Sequence, residues 1–163
     1  MSNDSAGYRV LATSADNRQA AAVLAAGAHR TLAIFTRDME RVIYDTVEFV
    51  AAVRQLALRS RFSRIRIAVI DPLPAIKDGH RLIELGRRLS SFIEFRRPAA
   101  EAATLADAFL IADENGLLYR SLAGRYEGYM DTDNPHAARI YLRAFEAIWE
   151  LAEPEPEFRR LSP

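Results

Sequence analysis

This chain contains no cysteine. That excludes disulfides, thiolate nucleophiles and Cys-ligated zinc or iron–sulfur centres. Lysine is nearly missing: Lys77 stands alone, and every other cationic side chain is Arg. A GC-rich coding sequence explains that bias simply. The alternative is selection of forked guanidinium donors for phosphate or carboxylate sites. No apolar run approaches the length of about 20 residues needed to span a bilayer. The amino terminus, MSNDSAGYRV, lacks the basic-then-apolar order of a signal peptide. Neither sign of charge is in excess, with 22 basic and 22 acidic residues. A globally basic nucleic-acid binder is disfavoured, while a local basic face stays open. The expectation is a soluble cytoplasmic protein with no membrane partner.

What is present fits one domain. The chain has 163 residues and half are hydrophobic, enough to bury a sizeable core. The expected division is a flexible segment 1–7, a domain 8–153 and a Pro/Glu-rich tail 154–163. Tyr8–Thr13 reads as a short strand. A helix capped by Asp16 runs through the Ala-rich segment to Gly27. Leu32–Phe35 is a buried strand. Asp45 caps a second helix on which Phe49, Val50, Val53, Leu56 and Ala57 recur at helical spacing. Ile65–Ile70 is a β-branched strand ending at Asp71-Pro72. Asp78 caps a third helix, and a short strand 92–95 and a helical turn within 98–104 follow. The hairpin 106–121 turns at Glu114-Asn115-Gly116, where Asn-Gly favours positive φ. Asn134-Pro135 opens the last helix, with Tyr141, Ala144, Phe145, Ile148 and Ala152 as its apolar stripe. This order predicts a single-domain α/β sandwich with a mixed, mostly parallel sheet.

The segment ADAFLIADENGLLYR, residues 106–120, is informative for what it lacks. Phosphoryl-transfer sites often carry their nucleophile on such a strand, yet no His, Lys, Ser or Cys lies between Ala106 and Ala112. Together with the LAIFT strand, RIRIAVID, the helix GHRLIELGRRL, the FIEFRR strand and a closing helix bearing Phe145 and Trp149, it resembles one half-unit of the phospholipase D-like fold over roughly residues 8–160. More closely, the chain resembles proteobacterial domains of unassigned function of this kind, sometimes found beside acetyltransferase domains. Active members of the phospholipase D-like family carry His-x-Lys-x-x-x-x-Asp, with the His as nucleophile and the Lys holding phosphate oxygens. Aligned on Asp113, those positions fall on Ala106 and Ala108. The resemblance therefore implies the fold, pairing of half-units into a homodimer and a groove shaped for phosphates. It does not carry over the reaction, a catalytic residue, a cofactor or a metal.

The residues leave several binding sites open. His80, at the start of a helix that follows a strand, is a candidate donor to phosphate or an acid–base group. Its simpler reading is an exposed helix residue pairing with Glu84. Arg81, Arg87 and Arg88 share its helical face, and Arg96 and Arg97 end the next strand. Such a group suits a phosphate-bearing ligand or nucleic acid, or else is a solvated face. His80, Arg81, Arg87, Arg88 and Arg97 are the candidate ligand-binding residues. Asp38, Asp71 and Asp113 would hold a divalent ion if their strand ends met, although strand-end carboxylates commonly cap or turn the chain. His136 with Asp131 and Asp133 is a metal-like cluster by composition and a turn by position. Tyr126 and Tyr129 lie in a loop, GRYEGYM, suited to a partner surface. Three functions stay open: a non-catalytic homodimeric module for a phosphate-bearing ligand or nucleic acid, an interaction domain for a partner enzyme such as an acetyltransferase, or an enzyme built on His80.

Overall fold

The computed structural model describes residues 6–158. Residues 1–5 of the expected amino-terminal segment and 159–163 of the expected tail lie outside the described residues. Along the chain, β1 (Tyr8–Leu11) leads to α1 (Ser14–Gly27), β2 (Thr31–Thr36), α2 (Arg41–Tyr44), α3 (Val47–Arg59) and β3 (Arg64–Val69). Then come α4 (Leu73–Asp78), α5 (Arg81–Arg88), β4 (Ile93–Arg97), the hairpin β5 (Ala108–Ala112) and β6 (Gly116–Arg120), β7 (Gly128–Asp131), α6 (Pro135–Glu150) and β8 (Glu153–Pro154).

Caps set several of these limits. Thr13 caps α1 by accepting the Asp16 N–H, and Asp16 returns the interaction to the backbone of Thr13. Asp16 is thus the third residue of a capping box rather than the cap itself. Thr46, not Asp45, caps α3 through the Phe49 N–H. Asn134 caps α6 through the Ala137 N–H at 3.1 Å, with Pro135 in the first turn where its missing donor is harmless.

All eight strands among the described residues form one sheet in the order β1-β7-β6-β5-β2-β3-β4-β8. Only β2–β3 and β3–β4 are parallel; the other neighbouring pairs run antiparallel. The expected mostly parallel sheet is corrected to a mostly antiparallel one. The cause is that β5 enters beside β2 in the reverse sense and the hairpin then carries β6 and β7 outward. The loop GRYEGYM supplies β7, so Tyr129 belongs to a strand. The hairpin also has no free edge, because β5 pairs with β2 and β6 with β7.

Helices cover both faces. On one face α1, α3 and α5 pack Leu24, Phe49, Val53, Leu56, Leu82 and Leu85 against Leu32, Ile34, Ile65, Ile67 and Leu110. On the other, α6 lays Phe145, Ile148 and Trp149 against Phe35, Phe109, Ile111 and Leu117. Alternation along β2 and β5 sends successive side chains to these two cores. The Pro/Glu-rich segment is no detached tail at its start. β8 pairs with β4, and Phe158 is fully buried with its ring 4.7 Å from Phe95. One aromatic side chain is enough to return this segment to the core. No helix among the described residues is long and apolar enough to cross a membrane.

Candidate functional site

The parallel strands β2 and β3 end at the same edge of the sheet, and β5 begins there. Ligands of open α/β sheets bind at such carboxyl ends. A cleft of about 340 Å³ opens at this edge, lined by residues that include Arg37, Asp38, Glu40, Arg41, Pro74, Asp78, Ala123 and Tyr126. Ala106 lies beside it, its carbonyl accepting the N–H of Ala123 at 2.7 Å. Ala108 pairs in register with Arg120 across the hairpin.

Arg120 defines the chemistry of this end. It is 2% exposed on β6 and forms a two-pronged ion pair with Glu40. Its Nη1 also donates to the carbonyls of Ala123 at 3.1 Å and Arg125 at 2.8 Å. Side chains directly opposite on paired strands are near neighbours, so the small Ala108 leaves room for this guanidinium. The cation is fully engaged by Glu40 and the two carbonyls. The cleft wall is therefore of mixed sign: Arg37 and Arg41 face Asp38, Glu40 and Asp78, and Arg41 is itself paired with Asp45 at 3.2 Å.

The loop between β2 and α2 is strained at Met39, a buried residue with φ of 64°. A non-glycine residue in the left-handed region is held there only by its surroundings. Two bonds do so. The Met39 N–H donates to Thr36 Oγ1 at 3.1 Å, and its carbonyl accepts from His80 Nε2 at 2.8 Å. His80 Nδ1 in turn accepts the Leu82 N–H at 3.2 Å, capping α5. This pair of bonds fixes the neutral tautomer with the proton on Nε2. His80 is 4% exposed and is not the exposed partner of Glu84; α4 ends at Asp78, Gly79 adopts φ of 76°, and the chain turns His80 inward.

Burial is the largest influence on His80 and lowers its pKa below the usual 6.5, with the Met39 carbonyl and the Asp45 carboxylate opposing it. The unfolded chain then binds the extra proton more readily than the fold does. The contribution of His80 is constant above about pH 6.5, and stability falls as pH drops from there through the lowered native value, by at most about 1.4 kcal/mol per pH unit. His80→Asn keeps a capping side chain but cannot titrate. Urea midpoints between pH 7.5 and 5 are expected to fall with pH for the wild type and to change less for the variant. Equal slopes would contradict a buried, neutral His80.

The five candidate ligand-binding residues are not brought together. Besides the inward-turned His80, Arg87 faces the carboxy-terminal segment, donating to the Glu157 carbonyl at 2.8 Å and to Glu84 at 3.1 Å. Arg97 is 3.9 Å from Glu155. Arg81 is exposed and reaches Asp45 at 3.9 Å, and Arg88 is exposed near the end of α5. Arg96 turns to the opposite face, over the Trp149 ring at 4.4 Å. The strand-end aspartates also separate. β5 runs against β2, so Asp113 lies at the far edge from Asp38 and Asp71. Its carboxylate accepts the N–H groups of His29, Arg30 and Thr31 at 2.9–3.0 Å. Asp131 accepts the Asp133 N–H, a turn interaction. Among the described residues no group of three or more His, Asp or Glu is placed to hold a metal.

The far edge holds a feature not singled out in the sequence. The turn Ser60–Ser63 joins α3 to β3, and the Phe62 N–H donates to Ser60 Oγ at 3.0 Å. This places Phe62 outward, 58% exposed. The Arg61 guanidinium is 4.7 Å and that of Arg30 5.6 Å from the Phe62 ring centroid. Arg64 begins β3 and donates its N–H to the Arg30 carbonyl. The signal was RSRFSR, residues 59–64, an aromatic within a basic run.

A family model described as "Domain of unknown function (DUF7931)" matches residues 13–161. No curated protein matches the sequence significantly. In fold the chain is similar to TrmBL2, an archaeal chromatin protein whose structure shows a novel mode of DNA binding. The TM-score is 0.66 at 15% identity, over 91% of this chain and 54% of that one. It is also similar to Nuc, a phospholipase D family member from Salmonella typhimurium, with a TM-score of 0.63 and 12% identity over 91% of this chain and 97% of that one. NucT from Helicobacter pylori gives 0.57 and 11%, over 91% and 99%. This chain thus spans about half the length of the chromatin protein and nearly all of the other two. At these identities the likeness establishes a phospholipase D-like fold and nothing further.

Proposed function

The chain belongs to the DUF7931 family, and from that membership and its fold we propose that it is a non-catalytic phospholipase D-like domain, a binding module for a phosphate-bearing ligand or nucleic acid. The observation that carries this reading is the chemistry at the start of β5. On the resemblance, aligned at Asp113, Ala106 and Ala108 fall where the family's active members carry nucleophile and phosphate clamp. The cation paired in register with Ala108, Arg120, is neutralised by Glu40. Covalent phosphoryl transfer needs an activated nucleophile to begin, and His80 does not replace it, since both ring nitrogens are engaged in backbone bonds. A chromatin protein with a novel mode of DNA binding among proteins of this fold is in keeping with a binding role.

The test is hydrolysis of an activated phosphodiester by the purified protein, with and without divalent metal. The expected rate equals that of buffer. A rate well above buffer that co-elutes with the protein through ion exchange and gel filtration would overturn the proposal.

A further inference from the structure

We propose that the edge formed by Arg30, Arg61, Phe62 and Arg64 is a docking surface for single-stranded nucleic acid, remote from the cleft. The proposal rests on the reading of the domain as a binding module and assigns the surface and the ligand class.

Three observations carry it. First, Arg30, Arg61 and Arg64 are exposed, and none of them forms an ion pair with a carboxylate among the described residues. The nearby acidic groups are otherwise engaged: Asp113 holds backbone N–H groups of residues 29–31, and Glu146 forms a bidentate pair with Arg66 at 2.7 and 2.8 Å. Arg64 also acts on Glu146, helping Arg66 to lower that carboxyl's pKa. Second, Phe62 is a large aromatic projected from a tight turn, held by the Ser60 hydroxyl and flanked by two guanidinium groups. Third, the patch lies at the amino ends of β2 and β3, where Thr31 and Arg64 pair. β2 has six residues, so this edge is roughly 17 Å from the cleft at about 3.3 Å per residue.

Single strands are bound by combining cations along the backbone with aromatic faces on which bases stack. In a duplex the base faces are already stacked, and reading its grooves takes a helix or ribbon. Two short loops carrying one exposed ring supply neither. A base would stack on the ring in place of the guanidinium that now covers it, leaving Arg61, Arg30 and Arg64 to meet the adjoining phosphates.

The experiment is fluorescence anisotropy with a labelled pyrimidine 12-mer, single-stranded or annealed to its complement, at several salt concentrations. Wild type is compared with Phe62→Ala, Arg61→Ala/Arg64→Ala and, at the cleft, Arg37→Ala; circular dichroism confirms that each variant is folded. Phe62→Ala is expected to weaken single-strand binding about tenfold. Three guanidinium contacts predict a log–log salt slope of about −2, falling to about −0.7 in the double variant. Arg37→Ala should bind as the wild type does, and duplex should bind more weakly than the single strand. Binding unaffected by Phe62→Ala and the double variant, or lost in Arg37→Ala, would overturn this surface while leaving a binding module in place. Cleavage of the oligonucleotide would overturn the non-catalytic reading and leave the surface standing. No binding of either form at low salt would overturn the surface.

Discussion

Arg120→Ala is expected to lower the unfolding free energy by about 3–5 kcal/mol, the scale of removing one partner from a buried ion pair. The Arg120 side chain is nearly inaccessible and Glu40 largely so. Removing the guanidinium leaves the Glu40 carboxylate without its counter-charge. It also strips a donor from the Ala123 and Arg125 carbonyls, which hold the connection between β6 and β7 against the cleft. The double change Arg120→Met with Glu40→Leu removes both charges together and should recover much of the loss, because replacing a buried pair by apolar side chains of similar volume is often neutral. Urea denaturation of the three variants decides it. A loss below about 1 kcal/mol for Arg120→Ala would place the pair with weak surface salt bridges.

The second large effect is expected at Asp113. Its carboxylate gathers three consecutive N–H groups, from His29 to Thr31, and so fixes the connection between α1 and β2. Its own backbone stands at φ of 55°. Asp113→Ala removes a charged acceptor and puts alanine in the left-handed region, where Asp and Asn are tolerated better. The combined loss should be about 2–3 kcal/mol, set by hydrogen bonds to a charged group that are partly open to water. Asp113→Asn retains one carbonyl acceptor and the tolerated backbone, and should cost about 1 kcal/mol. Equal losses for both variants would show that the lost charge, not the backbone conformation, dominates.

Much of the architecture was written in local pattern. The helix α6, with Asn134-Pro135 ahead of it, and the hairpin depend on neighbours within a few residues, and the structure contains both; yet Ala144 is exposed, Ala152 lies beyond α6, and the positive φ of the turn falls on Asp113 rather than on Asn115-Gly116. Sheet direction was not legible in the same way. Nothing within β5 says whether it will lie parallel or antiparallel to β2; that is decided by register across about 80 residues of chain. β7 was hidden because Gly128 and Gly124 imitate a loop, and β8 because a lone Glu-Pro pair carries no strand signal.

The site divides along the same line. That neither Ala106 nor Ala108 offers a nucleophile could be read directly. The burial of His80 could not, since its Met39 acceptor lies 41 positions away and its immediate neighbours are Gly79 and Arg81. A helical wheel placed Arg87 beside Arg88, yet the returning carboxy-terminal segment captures Arg87 alone. Glu40 and Arg120 give no local sign that they will meet. The run 59–64, by contrast, showed its aromatic and its arginines in the sequence; what was missing was the exposure of Phe62.

The central property proposed for the domain is that it holds a phosphodiester without breaking it. The measurement is the length of a 5′-labelled single-stranded oligonucleotide recovered on a denaturing gel after prolonged incubation with saturating protein and divalent metal, in buffer where anisotropy shows the strand to be bound. All of the bound strand is expected to be recovered at full length. Fragments that accumulate with time and with protein concentration, and persist in Phe62→Ala protein at concentrations that restore binding, would contradict it.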